Sequence, residues 1–317
     1  MSAQCLICLE SGDFPQWPYH PRCLQKLLGS RGVVPRLPFT RADYFRSARQ
    51  KSTGFSISGV QTKLQCRVLN RELVRVTSGG THIIKPSPET FPLAAENEHL
   101  TMRLLGYLGV QTAASGLLPF ADGELCYVTR RYDRTASTRI QQEDMLQAMG
   151  ISNLKSESKY EAASYQTVLA FLKAHGSGAI QIETFRRIVC AYLLGNDDYH
   201  LKNISVFPGP PLRMTPAYDF LNTELCGVGG PIMALDLLDQ GMPHQAAEMG
   251  NGRYYGGDFI ELAVKAGISH PVAVRQMTEL VNRAKSLNEE HLRIIKDRAE
   301  DFLAVVRARI RYLEVLG

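Results

Sequence analysis

The chain has 317 residues, of which 44% are hydrophobic and 21% charged, and its formal net charge at pH 7 is +5. This length allows a large core in two lobes, and no window approaches the roughly 18 consecutive apolar residues that predict a membrane span. The lysines and arginines are offset by 31 acidic residues, so composition does not indicate nucleic-acid binding. The start "MSAQCLICLE" lacks a basic segment followed by an apolar one, so we expect a cytoplasmic protein.

Residues 1–50 predict a loop-rich segment with a single short helix at "HPRCLQKLLG". The same segment contains a C-x-x-C…H-x-x-C pattern, formed by Cys5, Cys8, His20 and Cys23. Two close pairs of soft ligands suit tetrahedral Zn²⁺, which would close a loop too small to hold a core. Buried or free reduced thiols are the alternative that the sequence leaves open. The other cysteines lie in apolar contexts and predict core positions: Cys66, Cys126, Cys190 and Cys226.

Residues 51–132 predict a small lobe rich in strands. "KLQCRVL", "ELVRVT", "THIIKP" and "LCYVTRRY" are β-branched or alternating segments, and turns such as "SGG" and "ADG" separate them. One helix, "AAENEHLTMRLLGYLG", interrupts the strands and ends at Gly109.

Residues 133–317 predict a larger helical lobe. "YQTVLAFLKAH" and "TFRRIVCAYLLG" have helical periodicity, and two more helices follow from Pro271, the last with an apolar stripe from Leu292 to Leu313. The whole pattern favours an α+β, bilobal fold with a small mixed β lobe and a larger α-helical lobe.

The stretch "GNDDYHLKN" (195–203) places strong polarity directly after an apolar helix. Asp198 and Asn203 have the Asp-x-x-x-x-Asn spacing of a kinase catalytic loop. In that chemistry a carboxylate accepts the proton of the attacking hydroxyl, and an amide oxygen binds Mg²⁺. Asp219 in "MTPAYDF" is the candidate second Mg²⁺ ligand. His200 is a candidate catalytic residue, although an isolated histidine is more often structural.

Other segments offer the phosphate contacts of a kinase. Lys85 ends the strand "THIIKP", and the next helix provides Glu96 or Glu98 to hold it. The loop "FSISGVQTK" (55–63) is rich in hydroxyls and contains Gly59, so its backbone amides could approach phosphate. Each motif alone also fits a solvated loop, a strand end or helix-terminal charge. Their order along the chain favours a kinase.

With these motifs the chain resembles the HipA family of bacterial Ser/Thr kinase toxins, most closely its short HipT-like members, over about residues 17–317. The resemblance is carried by "YHPRCLQKLLG", "SISGVQTKL", "IIKPSP", "ENEHLTMRLL", "RRYDR", "QEDMLQAMG", "FRRIVCAYLLGNDDYHLKN" and "MTPAYDF". It implies a HipA-like, protein-kinase-like fold that uses ATP and Mg²⁺. Asp198 would be the catalytic base, Asn203 and Asp219 the Mg²⁺ ligands, and Lys85 the phosphate-binding lysine. The nucleotide contacts would come from the loop, the lysine pair and the hinge: Gly59, Gln61, Lys63, Lys85, Glu98, Arg130, Tyr132 and Asp133.

The resemblance also implies regulation and partners. Ser56 and Ser58 would be autophosphorylated, and the added charge would eject the phosphate loop and switch the kinase off. The chain would act as the toxin of a HipBST/HipBA-like toxin–antitoxin system, with a translation-related substrate such as an aminoacyl-tRNA synthetase. Its partners would be a HipB-like helix-turn-helix antitoxin and a small HipS-like protein that supplies the N-terminal subdomain of longer members. DNA would be contacted only through the antitoxin, and no membrane is expected. The alternatives are a kinase of a small metabolite or lipid head group, or an inactive nucleotide-binding scaffold.

Overall fold

A computed structural model describes residues 3–14, 16–49, 63–135, 138–227 and 231–315. The loop candidates Ser56, Ser58, Gly59 and Gln61 lie outside these ranges. The chain divides into two compact units, one of residues 1–103 with 112–140 and the other of residues 104–111 with 141–317.

The first unit begins with a small segment of residues 3–14 and 16–28, which we call the knuckle. β1 (Ala3–Gln4) pairs antiparallel with β2 (Ser11–Gly12), and α1 (Pro21–Leu28) follows. A second helix, α2 (Arg41–Arg49), shows that the prediction of one helix in the first 50 residues was wrong. Its sequence is too polar for a helical apolar stripe. Its start is fixed instead by Thr40 and Asp43, each of which accepts a hydrogen bond from the backbone N–H of the other.

A five-stranded sheet forms the centre of the first unit. Its strands are β3 (Leu64–Leu69), β4 (Glu72–Val76), β5 (His82–Pro86), β6 (Ser115–Pro119) and β7 (Leu125–Arg130), in the order β4-β3-β5-β7-β6. Every pairing in this sheet is antiparallel. The lobe is mixed in the sense that it contains a helix as well as strands, because α3 (Ala94–Tyr107) connects β5 to β6. The sequence did not predict β6, because Gly116 and Pro119 disfavour a strand. A Cβ at Gly116 would lie 2.7 Å from the side chain of Ile7. A glycine at this position therefore leaves room for the knuckle to pack against β6.

One face of this sheet carries the main core. Alternate strand residues such as Cys66, Ile84 and Val128 pack in one cluster with Leu27 of α1 and Tyr44 of α2. Because side chains in a strand alternate between faces, the same alternation sends Lys85 to the opposite face.

The second unit is mainly helical. Its longer helices are α6 (Tyr165–His175), α7 (Gly178–Leu193), α9 (Gly256–Lys265), α10 (His270–Lys285) and α11 (Ala299–Leu313), and its short ones are α4 (Met145–Ala148), α5 (Ser158–Glu161) and α8 (His244–Met249). A small sheet has the order β10-β9-β8, from β8 (Glu143–Asp144), β9 (Ser205–Phe207) and β10 (Arg213–Met214).

Two details of the second unit differ from expectation. The predicted last helix is divided into a 3₁₀ segment (Glu289–Arg298) and α11, because Arg298 departs from helical backbone angles; the 3₁₀ segment is itself interrupted at Ile295. Cys190 is buried as predicted, like Cys66 and Cys126 in the first unit, but Cys226 is only half-buried because it ends a short 3₁₀ turn (Glu224–Cys226) rather than a packed element. Among the described helices, none combines the length and apolar character needed to cross a membrane.

Candidate functional site

A buried ion pair links β5 and α3 in the first unit. Lys85 Nζ donates to Glu98 Oε1 at 2.6 Å, and the two side chains are 5% and 1% exposed. Of the two acids that the sequence offered, the structure therefore pairs Glu98 with the lysine. Glu96 instead lies near Ser87, and burial raises the pKa of Glu96. A charged pair sealed from water is costly and commonly marks function rather than stability.

The segment after β7 is held by backbone and arginine contacts. Arg130 Nη1 donates to the carbonyl of Lys26 at 3.1 Å. Arg131 donates to both carboxylate oxygens of the buried Asp133, and Arg134 adds a third hydrogen bond at 2.8 Å. Burial acts to raise the pKa of Asp133, but the hydrogen bonds and charge of Arg131 outweigh it and lower that pKa. Asp133 thus organises this segment, and its role toward a nucleotide stays a prediction.

In the second unit, the polar loop follows α7 through a fixed turn. Gly195 adopts φ = 69°, which a side chain would strain, and its carbonyl accepts from the backbone and hydroxyl of Thr223. The buried Asn196 accepts from the backbone N–H of Asp198 at 3.1 Å through its Oδ1 atom. The loop is therefore held in one conformation by its own residues and by the segment around Thr223.

The loop brings three of the predicted residues together. The backbone carbonyl of Asp198 accepts from the backbone N–H of His200 at 2.9 Å and from Nδ2 of Asn203 at 2.8 Å. The Asp198 carboxylate, in turn, accepts from the hydroxyl of Tyr160 at 2.7 Å, while His200 Nε2 lies 3.6 Å away. Burial lowers the pKa of His200, although the charge of Asp198 opposes this shift. The catalytic role of the buried His200 stays a prediction.

The segment containing Asp219 is tied to this loop on both sides. Tyr218 donates to the carbonyl of Lys202 at 2.8 Å, and Phe220 packs on Tyr199 with ring centroids 4.7 Å apart. Asp219 itself is half-buried and has φ = 60°, a conformation that costs a non-glycine residue on the order of 1 kcal/mol. Such a conformation persists where the surroundings fix it, and here it sets the direction of a carboxylate.

Asn203 and Asp219 fit a hard divalent cation in the chemistry of their donors. Mg²⁺ prefers carboxylate and amide oxygens and binds through one or two protein ligands with phosphates. Because Nδ2 of Asn203 donates to the loop backbone, its amide oxygen lies on the opposite side of the group. These residues would hold the ion that the resemblance implies.

The Cys/His set of the N-terminal knuckle is clustered as a metal site requires. Ligand atoms of Cys5, Cys8, His20 and Cys23 all lie within 4.8 Å of one another. Cys8 Sγ is 3.2 Å from His20 Nδ1, and the backbone N–H of His20 points at Cys5 Sγ. A hydrogen bond from the Cys8 thiol, with backbone N–H groups, lowers the pKa of Cys5 against the effect of burial. Three sulfurs and one imidazole in this space suit Zn²⁺.

Comparison with protein families matches residues 55–288, more than half of the chain, to the HipA-like C-terminal domain. The chain belongs to the HipA-like family. A Haemophilus influenzae protein named "Putative kinase" is 33% identical to this HipA-like chain, over 86% of the chain and 84% of that protein. "Putative kinase Y4dM" of Sinorhizobium fredii is 28% identical, over 76% of the chain and 61% of that protein.

A solved structure confirms the fold class. HipA from the HipA–HipB–operator DNA complex of Shewanella oneidensis superposes with a TM-score of 0.66 at 19% identity, covering 90% of this chain and 75% of that one. The fold is therefore the HipA-like, kinase-like one expected from the sequence.

Several residues that contact the site of this HipA-like chain were not predicted from the sequence. Tyr160 contacts both Asp198 and His200, yet it lies 38 residues before Asp198 in a four-residue helix that has no apolar period. Asn196 and Thr223 fix the polar loop through local hydrogen bonds. Asn196 stands inside the quoted motif, so its position could have suggested a loop-fixing role. Nothing in the local sequence marks Tyr160 or Thr223.

Proposed function

We propose that the chain is an Mg²⁺-ATP-dependent protein serine/threonine kinase. The observation that carries the proposal is the Lys85–Glu98 pair, 2.6 Å apart and buried. Protein kinases use a strand lysine held by a helix glutamate to position nucleotide phosphates. A fold has no need for such a pair, since apolar residues of similar volume would be at least as stable.

The residues of the polar loop account for the transfer step. As the serine or threonine hydroxyl attacks the γ-phosphorus, Asp198 accepts its proton, a new P–O bond forms and the bond to ADP breaks. Tyr160 orients the Asp198 carboxylate by donating a hydrogen bond to its Oδ1 atom, and His200 Nε2 lies 3.6 Å from the same atom. Mg²⁺, held by Asn203 and Asp219, would neutralise phosphate charge when bound.

The proposal includes control by autophosphorylation at Ser56 and Ser58. In a loop that would cover the ATP phosphates, a phosphoserine of charge about −2 would repel them and displace the loop. Gly59, Gln61 and Lys63 would contribute the phosphate contacts of the unmodified loop.

We further propose that the chain is a toxin of the HipT-like type. The support is family membership and the fold shared with a HipA that was solved together with HipB and operator DNA. A HipB-like antitoxin would connect this chain to DNA, a small HipS-like protein would be a second partner, and the substrate would be a translation protein such as an aminoacyl-tRNA synthetase.

The experiment that tests this function is a comparison of phosphoproteomes from cells that express the wild type or Asp198→Ala. We expect a small set of serine or threonine sites that depends on Asp198. A phosphorylated metabolite or lipid with no new protein sites would favour the small-molecule kinase, and no change of either kind would favour the scaffold.

A second proposal concerns the knuckle, where the four clustered side chains favour one structural Zn²⁺. The knuckle docks on the edge strand β6, since Leu117 donates its backbone N–H to the carbonyl of Leu6 at 2.8 Å. The ion would therefore hold the knuckle in place over the edge of the sheet.

A further inference from the structure

A cleft of about 510 Å³ in the first unit has an unusual concentration of positive charge. Four arginines line it: Arg67, Arg130, Arg134 and Arg139. They come from β3, the end of β7 and the loop that follows β7, so three elements contribute arginines to one concavity.

Little negative charge balances these side chains. Among the described residues that line the cleft, none is acidic. The neighbouring Asp133 already accepts hydrogen bonds from Arg131 and Arg134. Burial first, and then the charges of Arg131 and Arg139, lower the pKa of Arg134 against the opposing charge of Asp133. A bound anion would relieve this repulsion.

The rest of the lining offers hydroxyl groups and a small apolar surface. Thr81, Thr135 and Thr138 contribute hydroxyls, and Leu28 and Val68 contribute aliphatic side chains. His82 is the one aromatic ring among the described lining residues, and it is 2% exposed. Single-stranded nucleic acids bind by stacking bases on exposed aromatic rings, so this lining does not favour them.

The charge and the volume both point to a compact, multiply charged ligand. Arginine forks bind phosphate oxygens in pairs. Even with Arg134 paired to Asp133, the charges of Arg67, Arg130 and Arg139 exceed what one phosphate monoester of charge about −2 requires. The volume is within the roughly 300–1,000 Å³ range of small-molecule sites. We propose that this arginine cleft binds a small oligophosphate of nucleotide size, carrying at least two linked phosphate groups.

The cleft is separate from the Lys85 pair. His82 and Lys85 are three residues apart on β5, so their side chains point to opposite faces of the sheet. His82 lines the cleft, whereas Lys85 pairs with Glu98. Arg130, which the resemblance assigns to the hinge, also lines the cleft, but the inference does not depend on the Lys85–Glu98 pair that carries the kinase proposal.

The test is calorimetric titration of the full chain with inorganic tripolyphosphate, without Mg²⁺. The double variant Arg67→Gln/Arg139→Gln removes two exposed guanidinium groups, and its matched control is Arg275→Gln/Arg311→Gln, two exposed arginines of the second unit. Lys85→Met/Glu98→Leu removes the proposed nucleotide contact together with its buried partner, so that no unpaired charge remains inside.

We expect the cleft variant to bind tripolyphosphate at least about tenfold more weakly, and the other two variants to bind within about twofold of the wild type. Wild-type affinity should also fall as salt rises from 50 to 300 mM, about the range over which screening strengthens markedly. No binding by the wild type, unchanged binding by the cleft variant, or loss of binding only in the Lys85 variant would overturn the proposal. A phosphoserine peptide or a short RNA that binds the cleft more tightly than tripolyphosphate would overturn the ligand class.

Discussion

The hydroxyl of Tyr160 donates a 2.7 Å hydrogen bond to Oδ1 of Asp198. The ring of Tyr160 also meets His200 edge-on, with centroids 5.0 Å apart. Tyr160 and His200 thus approach the same carboxylate oxygen, since His200 Nε2 lies 3.6 Å from it. This leaves Oδ2 as the oxygen that the proposed mechanism assigns to the acceptor hydroxyl.

Tyr160→Phe should lower the rate of phosphotransfer about tenfold, because the carboxylate loses a hydrogen bond that fixes its rotation, and such bonds to charged groups are worth about 1.5–3 kcal/mol. The affinity for ATP should not change. Initial-rate kinetics with varied ATP would measure both. Tyr107→Phe is the matched control, because it removes a hydroxyl that bonds Ser286 on the surface. An unchanged rate in Tyr160→Phe would show that the contact does not serve catalysis.

Much of this architecture could be predicted from the sequence, and the gaps have physical causes. The alternation of β3, β4, β5 and β7 and the apolar stripe of α7 are local patterns, so the sequence revealed them. β6 was missed because its glycine reflects a contact with the distant Ile7. α2 was missed because its capping residues, rather than an apolar stripe, mark it.

In the candidate site, too, local patterns could be predicted and contacts between distant residues could not. The spacing of Asp198 and Asn203 could be recognised in the sequence because both residues belong to one loop. The spacing of residues alone could not choose between Glu96 and Glu98, whereas the resemblance named Glu98; the packing of α3 against β5 shows that Glu98 reaches Lys85. Tyr160 was not predictable, because its contact spans 38 residues.

Glu98→Gln should destabilise the protein by about 3–5 kcal/mol, since it leaves the Lys85 ammonium buried without its counter-charge. The double variant Lys85→Met/Glu98→Leu should recover most of that loss while ATP binding stays weak. Urea unfolding gives the stabilities, and calorimetry gives the affinity. The pair would be structural rather than functional if the double variant bound ATP like the wild type.

The knuckle should contain about one Zn²⁺ per chain. Cys8→Ser should lower this content and the melting temperature, because the loop would lose the ion that closes it. Cys226→Ser changes a cysteine outside the cluster and should leave both unchanged. Elemental analysis of reduced, untagged protein purified without added metal is the measurement. Zinc content near zero in the wild type would refute the site.

Acidification should destabilise the first unit between about pH 6.5 and pH 4. Burial lowers the pKa of His82 to about 4 and that of His99 to about 3. Below pH 6.5 the unfolded chain therefore binds protons that the folded chain does not. The free energy of unfolding decreases as the pH is lowered, by about 1–2 kcal/mol per histidine at pH 5.

Urea unfolding at pH 7.5 and pH 5 tests this dependence. His82→Gln should reduce the difference between the two pH values, whereas His244→Gln, at an exposed histidine, should not. Equal pH dependence in His82→Gln and the wild type would contradict the assignment.

The most direct test of the kinase proposal is to measure phosphotransfer and ATP binding together in Asp198→Ala. The base contacts the acceptor and not the nucleotide, so phosphotransfer should fall by about 10²–10⁴-fold while ATP affinity stays within about twofold. Asp219→Asn should instead weaken Mg²⁺-dependent ATP binding, and Asp301→Ala, an exposed carboxylate of the same unit, should change neither. Radiolabel transfer from ATP to a serine or threonine substrate at the wild-type rate in Asp198→Ala would contradict the catalytic assignment.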